Sequence, residues 1–345
     1  MNQIGPMNKH VLITGGTGYI GSHTVVDLIE RGYTPIILDN FENSNPTVLD
    51  AIHKITGTIP FFYKGDCRDL AIYHTIFKAH KVEYVIHFAA YKSVNESVLS
   101  PIKYFDNNLI SLIKLLEAMQ ENGVKNIIFS SSCTVYGDPT ESTVTEETPL
   151  KIASSPYGTT KKIGEEILTS VCHHQKAIRA IFLRYFNPVG AHPSALIGES
   201  PIGIPNNLFP FVSQTLTGKR EKLLVFGNDY NTPDGTCVRD FVHVVDLAKA
   251  HVAAIDHFNT APDFEYEIFN IGTGIGTSIL EVIQGFEKVT EKKINWEFAP
   301  RRDGDIQEIF ANVDKALKFL NWKPYYTVQD AIKHSWNWEK GQHKA

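Results

Sequence analysis

Sulfur is scarce in this chain. Four cysteines (Cys67, Cys133, Cys172 and Cys237) and three methionines are spread over 345 residues. No two cysteines are close in sequence and none stands with histidine at zinc-ligand spacing. Neither a disulfide framework nor a metal site is indicated, and the thiols are expected to be reduced. The His173-His174 pair falls near an expected helix end, where a solvated or dipole-complementing role is expected rather than a metal site. Long apolar runs are missing as well, the longest being far too short to span a bilayer. The amino terminus lacks the charged and apolar regions of a signal peptide. A cytoplasmic location is the expectation, with no membrane as partner. Basic runs are also lacking, and the formal net charge is -5. That argues against nucleic acid as a partner, because neutralising phosphates takes clustered Lys and Arg. Repeats and low-complexity segments are absent too. The length is sufficient to bury a full core in one large domain or two coupled ones.

What is present is organised around Val11-Leu12-Ile13-Thr14-Gly15-Gly16-Thr17-Gly18-Tyr19-Ile20-Gly21. An apolar run meets a glycine-rich turn, and a periodic segment over 19–32 follows. This reads as strand, tight turn, helix. Glycines let the backbone turn sharply and let a pyrophosphate approach the amides at the helix start, where the dipole is positive. Gly16, Gly18 and Gly21 satisfy one dinucleotide-type spacing; Gly15, Gly18 and Gly21 satisfy another. The stretch alone does not choose between them, but because it directly follows a strand-like run, cofactor binding is favoured over glycine kept for packing. Residues 1–8 read as a loose tail, with Met7 a second candidate start.

Strand-like runs at 34–38, 59–63, 82–88, 126–129 and 177–183 alternate with helical patterns, the longest at 101–122 and 156–173. Such alternation predicts an α/β fold with a parallel sheet, right-handed crossovers and ligands at the carboxyl ends of the strands. Several polar or small groups fall at such ends: the glycine turn, Asp39, Asp66, Ala89 to Lys92, and Ser130 to Ser132. Asp39 lies 18 residues beyond Gly21, where a carboxylate accepts from the adenosine ribose and repels a 2′-phosphate. NAD is therefore favoured over NADP. From 191 to 235 the texture becomes rich in Pro, Gly and Asn, as expected of loops built over a ligand. Further strands are expected at 239–242 and 264–272, and helices at 245–257 and 278–290.

Tyr157 and Lys161 are four apart on a helix that Ser155 caps and Pro156 opens, so they share a face. A tyrosine is a poor base near neutrality, its ordinary pKa being about 10. A nearby ammonium and an oxidised nicotinamide both favour the phenolate. Ser132, from a strand end, would hydrogen-bond the reacting oxygen. The set suits removal of a proton from an alcohol while hydride leaves its carbon. A lone Tyr-x-x-x-Lys is a common helix pattern; here it follows a nucleotide-binding half-sheet.

These residues resemble the extended short-chain dehydrogenase/reductase family, and more closely its UDP-glucose 4-epimerase (UDP-galactose 4-epimerase) branch. The supporting stretches are Thr14 to His23, Phe129 to Ser132, Leu183 to Pro193, Gly203 to Leu208, Phe226 to Tyr230, Val238 to Asp240 and Ala299 to Asp305. They cover nearly the whole chain past the tail. The resemblance favours the Gly15, Gly18, Gly21 register. It implies a Rossmann-type doubly wound parallel sheet over 9–187, followed by a smaller C-terminal α/β nucleotide-sugar domain over 188–345, with segments around 236–272 returning to the sheet. It also implies roles. Tyr19 and Ile20 would meet the pyrophosphate. Asp39, Asn40, Asn43 and Ser44 would hold the adenosine ribose and phosphate, with Asp66 and Cys67 beside adenine. Phe88, Ala89, Ala90, Lys92, Asn107, Ser130, Tyr185 and Phe186 would line the rest of a tightly bound, recycled NAD, and Lys161 would also bind its nicotinamide ribose. Asn187, Asn207, Leu208, Phe226, Arg239, Arg302 and Asp305 would hold UDP, with Lys92, Ser132, Tyr157 and Ile309 facing the sugar. Taken alone, Arg239 and Arg302 suit a diphosphate because a guanidinium donates in a fork. They suit surface pairing with Asp240, Asp303 or Asp305 equally well.

The implied activity interconverts UDP-glucose and UDP-galactose through a 4-keto sugar, in a homodimer paired through 101–122 and 156–174. Three rivals remain. Related 4,6-dehydratases carry Asp-Glu after the strand-end hydroxyl, where this chain has Cys133-Thr134. UDP-glucuronate and UDP-xylose 4-epimerases differ in sugar-pocket residues. A non-catalytic NAD-dependent sensor would need none of Ser132, Tyr157 and Lys161. By the resemblance, a bulky Tyr at position 309 excludes N-acetylated sugars. The smaller Ile309 is expected to admit UDP-N-acetylglucosamine and UDP-N-acetylgalactosamine.

Overall fold

The computed structural model describes residues 9–261, 263–302 and 304–342. The expected tail at 1–8 and Asp303 lie outside them. The chain runs β1 (His10–Thr14), α1 (Tyr19–Glu30), β2 (Thr34–Asp39), α2 (Thr47–Thr56), β3 (Phe61–Lys64), α3 (Leu70–Ala79), β4 (Val82–His87), α4 (Val94–Leu99), α5 (Pro101–Glu121) and β5 (Asn126–Ser132). A 3-10 turn at Cys133–Tyr136 leads to β6 (Thr143–Val144), α6 (Pro156–Gln175), β7 (Arg179–Tyr185), β8 (Asn187–Val189), α7 (Leu208–Leu216) and β9 (Leu223–Phe226). Then come β10 (Val238–His243), α8 (Val244–Thr260), β11 (Tyr266–Ile271), β12 (Gly276–Ser278), α9 (Ile279–Thr290), β13 (Trp296–Ala299), β14 (Glu308–Ala311), α10 (Asp314–Leu320) and α11 (Val328–Gln342).

Seven parallel strands form the main sheet in the order β11-β7-β5-β4-β1-β2-β3. The order reverses beside β1, the position where open α/β sheets leave a crevice for a ligand. Helices cover both faces, which is why Val11, Leu12 and Ile13 of β1 are all apolar. Val11 and Ile13 join a core with Val25 and Leu28 of α1 and Val252 and Ile255 of α8. Leu12 faces the other way, toward Tyr73, Leu112, Leu115 and Leu168. Fully burying each such aliphatic side chain contributes roughly 1.5–3 kcal/mol.

A second unit has its own core of Val189, Phe209, Val212, Phe241, Val282, Phe286 and Ile332. Its sheet runs β12-β10-β14-β6, with β8 also on β10, and β13 pairs β9. Within 236–272, β11 lies beside β7 in the large sheet and α8 packs on α1. By contrast, β10 pairs with β8, β12 and β14 in the second sheet.

Some boundaries differ from those expected. The third strand begins at Phe61 rather than at 59. Pro60 has no N–H to donate, and Ile59 is left 74% exposed. The fifth strand does not stop at 129 but carries its ladder through Ser130, Ser131 and Ser132, opposite Leu183, Arg184 and Tyr185 of β7. Helix α6 runs two residues further than expected and closes on Lys176 in the left-handed region.

Candidate active site

The turn after β1 leaves little or no room for a side chain at any of its four glycines. Gly15 has a φ of +73°, and a Cβ there would stand 2.8 Å from the Ala89 amide nitrogen. A Cβ on Gly21 would collide with the Gly15 carbonyl, and one on Gly18 would lie 3.2 Å from it. Gly16 instead abuts the Ile37 side chain, a packing contact. The backbone thus excludes a side chain at Gly15 and Gly21, and crowds Gly16 and Gly18. Gly18 begins α1 with no side-chain cap and no acidic residue in the first turn. The helix start, with Tyr19 and Ile20, is thereby suited to an anion. Tyr19 points its hydroxyl away to the Gly190 carbonyl at 2.6 Å.

At the end of β2, the buried Asp39 accepts from the Thr17 amide at 3.1 Å and the Phe41 amide at 2.8 Å. Ser44 bonds the Thr17 hydroxyl at 2.7 Å and reaches Asp39 at 3.4 Å. Asn40 accepts from the Glu42 amide at 3.0 Å, and Asn43 lies in the same exposed turn. Asp66 is held by Arg68, which reaches on to Asp106 of α5. The Arg68 hydrogen bonds hold the Asp66 carboxyl below its ordinary range. Burial pushes the Cys67 thiol up to about 12. After β4, Phe88 packs on the His251 ring at 4.7 Å, and Ala89 closes on the glycine turn. Lys92 pairs with Glu199 at 2.9 Å, and Asn207 donates to the same carboxylate oxygen at 2.6 Å. Asn107 leans on Asn108 at 3.0 Å.

Tyr157, Lys161 and Ser132 come together where α6 lies across the end of β5. Ser155 caps α6 by accepting from the Gly158 amide at 3.2 Å, which fixes the helix start. Lys161 Nζ donates to the Ser130 carbonyl at 2.6 Å and lies 5.1 Å from the Phe129 ring centroid and 5.9 Å from that of Tyr157. Burial pushes the Tyr157 phenol up to about 12, opposed by a hydrogen bond with Ser132. Burial draws the Lys161 ammonium down to about 7, opposed by the Glu165 carboxylate. Ser130 and Tyr185 share a hydroxyl–hydroxyl bond beneath the site.

On the second unit, Arg302 donates to both Asp305 oxygens at 2.9 and 3.1 Å, and Arg239 stands 4.0 Å from Asp305. The Arg302 guanidinium lies 4.6 Å from the Phe226 ring centroid. Asp305 thus gathers both cations side by side. Asp240 does not pair with either. It is buried and accepts from Thr273, Gly274 and Ala311. Asn187 lies in β8, Leu208 opens α7 beside Asn207, and Phe186 and Ile309 share a buried cluster with Cys133.

Sequence reading missed Thr17, which orients Asp39, and Glu199, which bridges Lys92 to Asn207. It also missed Asn108, which bonds Tyr91 on both backbone groups and reaches Thr160 of α6. The polar Asn108 within an apolar helical repeat was the available signal.

The family model described as GDP-mannose 4,6 dehydratase matches residues 12–335. UDP-glucose 4-epimerase from Yersinia pestis is 49% identical over 330 residues, covering 96% of this chain and 97% of its own. The bovine (Bos taurus) UDP-glucose 4-epimerase is 46% identical over 340 residues, covering 97% of each chain. The chain belongs to the UDP-glucose 4-epimerase family. Among solved structures, UDP-glucose 4-epimerase from Bifidobacterium longum, crystallised with NAD+ and UDP, superposes with a TM-score of 0.93 at 47% identity. That likeness covers 97% of this chain and 99% of the other. Membership of this epimerase family accounts for a Rossmann-type sheet joined to a smaller α/β unit.

Proposed function

We infer that the protein interconverts UDP-glucose and UDP-galactose, with NAD as a resident group. One observation carries this reading: Ser132, Tyr157 and Lys161 meet at the carboxyl end of β5, on the same edge of the sheet as the glycine turn and Asp39. The residues fit NAD. Gly15, Gly18 and Gly21 form a cradle that a Cβ would fill, α1 starts uncapped, and Asp39 ends β2. When bound, NAD accepts a hydride from the sugar C4 and returns it, and its oxidised ring adds a positive charge near Tyr157.

The chain does the rest. Tyr157 takes the proton from O4, its phenolate favoured by the Lys161 ammonium and the added charge. Ser132 donates to the reacting oxygen and relays the proton. Lys161 also holds the nicotinamide ribose. The 4-keto sugar then turns over and presents its other face. UDP must stay gripped meanwhile, by Arg239 and Arg302 on the diphosphate, Phe226 packed against Arg302, and Asn187, Asn207 and Leu208 around the nucleotide. Affinity resides in UDP, because a tightly held sugar could not rotate. The dehydratase rival needs an acid–base pair after Ser132. The Cys133 thiol there is pushed up to about 12 by burial and stays neutral.

Two extensions belong to this reading. Ile309, which the family resemblance sets beside the sugar, is smaller than Tyr; it is 3% exposed and packs in a cluster with Phe186 and Cys133. UDP-N-acetylglucosamine is expected to turn over; kinetics showing none reject this. A cytoplasmic homodimer is the assembly proposed, through α5 and α6. On α5, Ile102 is 77%, Ile110 37% and Ile113 42% exposed, an apolar face suited to a second copy. Sedimentation showing a monomer at micromolar concentration contradicts it.

The deciding experiment incubates purified protein with UDP-galactose and no added NAD. UDP-glucose should form, and denaturation should release stoichiometric nicotinamide cofactor. Absence of product despite bound cofactor overturns the reading.

A further inference from the structure

Helix α6 carries Tyr157, Lys161 and Glu165 at four-residue spacing, so all three share one face. The chemistry above employs the first two; Glu165 has no part in it. Yet Glu165 is as buried as Lys161, at 5% and 4% exposure. Its carboxylate is fully engaged. Arg184 of β7 donates Nε to Oε1 at 2.9 Å and Nη2 to Oε2 at 2.7 Å. Ser131 of β5 donates to Oε1 at 2.5 Å. Arg184 spends Nη1 on Tyr136 Oη at 3.2 Å and on the Glu146 carbonyl at 3.4 Å. Tyr136 Oη donates onward to Asn270 Oδ1 at 2.6 Å, and the Asn270 amide donates to Glu146 Oε1 at 2.7 Å.

The location gives this network its meaning. Ser131 sits between Ser130, whose carbonyl takes Lys161, and Ser132, which bonds Tyr157. One turn of α6 is keyed to β5 at three points: Lys161 to Ser130, Gly164 to Phe129 and Glu165 to Ser131. A Cβ on Gly164 would stand 2.6 Å from Phe129 Cζ, so the helix rests directly on the ring. A buried ion pair adds little net stability, because desolvating both ions offsets their attraction. A bidentate pair does fix one geometry.

We propose that Glu165, clamped by Arg184 and Ser131, is a positioning residue for the C4 oxidation, setting Lys161 and Tyr157 against β5 and placing one buried negative charge a helical turn from Lys161. This rests on the proposed epimerase reading. Among the described residues, the groups facing Lys161 leave Glu165 as their one anion. His87 of β4 is drawn down to about 3 by burial, with Lys161 adding to the effect, and is neutral. Phe129 and the Ser130 carbonyl of β5 carry no charge. From α5, Asn108 bonds Thr160 and is uncharged. Around Tyr157, the Cys133 thiol and Tyr185 phenol are both pushed up by burial and stay protonated. The Glu165 carboxylate thus supports the ammonium form of Lys161, which in turn favours the Tyr157 phenolate.

The test compares Glu165→Gln with Arg184→Lys. Both break the bidentate pair, but only the first removes the charge facing Lys161. A Glu165→Gln/Arg184→Gln double variant leaves no unpaired buried ion and serves if the single variant does not fold. Two readouts are taken: the kcat–pH profile with UDP-galactose, and the ultraviolet titration of the Tyr157 phenolate, with Tyr157→Phe as blank. In variants lacking the carboxylate, kcat should fall on the order of ten- to a hundredfold. The acidic limb and the phenolate titration should both move up by about one pH unit. Arg184→Lys should lose turnover with its limb in place. An unmoved limb in folded protein lacking the carboxylate, or an equal shift in Arg184→Lys, overturns the proposal. Wild-type protein inactive on UDP-galactose would instead overturn the epimerase reading.

Discussion

Tyr157 is asked to be a base although its surroundings resist the charge. Burial, partly opposed by the Ser132 hydrogen bond, pushes its phenol up to about 12 and, partly opposed by the Glu165 carboxylate, draws Lys161 down to about 7, so without a further positive charge both are neutral above that second value. Binding a positively charged ring must tip the pair toward phenolate and ammonium. Tyr157→Phe removes the acceptor of the O4 proton while keeping the ring in place. Turnover should drop about 10²–10⁴-fold with unchanged unfolding behaviour; near-normal turnover removes Tyr157 as the base. The meeting of Tyr157 and Lys161 was legible in the sequence because spacing on one helix fixes which side chains share a face. Thr17, Glu199 and Asn108 were not, because each acts by bonding a residue distant in sequence. The fate of Arg239 and Arg302 stayed open for a related reason. Only the fold brings Asp305 between them and turns Asp240 away.

Among elements, the β1–α1 turn has little freedom to vary. Gly15 combines a left-handed backbone with an approach to Ala89 that leaves no room for a methyl group. Gly15→Ala should cost about 1–2 kcal/mol from the left-handed conformation alone. Denaturant unfolding with and without NAD should show lower stability and a smaller stabilisation by the cofactor. Unchanged values for both would contradict the cradle. Helices α2, α3 and α4 were not singled out, but strands β1 to β5 and β7 and helices α1, α5 and α6 were readable from the periods of the apolar pattern. Exact ends were not. Pro60 delays β3 by withdrawing a donor, and three polar serines extend β5 because β7 offers them ladder partners. The second sheet was unreadable in advance, since β6, β8 and β14 are two to four residues long and gain their meaning only by pairing, β8 and β14 with β10 and β6 with β14.

Across the whole molecule, buried histidines set the acid limit. Burial draws His23 and His87 down to about 3, His243 to about 2 and His251 to about 4. In the unfolded chain each titrates near 6.5. Below that value the unfolded state binds protons that the folded state refuses, so stability falls as pH falls. The slope approaches about 1.4 kcal/mol per pH unit for each such histidine, down to its folded value. Urea midpoints should therefore drop steeply from pH 6.5 to pH 5. A flat profile there would show that these rings are not buried neutral.

The central claim is that hydride leaves C4 and returns to the same carbon without leaving the protein. UDP-galactose carrying deuterium at C4, incubated in ordinary water with no added NAD, tests it most directly. The account predicts UDP-glucose that retains the deuterium at C4. Product carrying solvent hydrogen at C4 would contradict it.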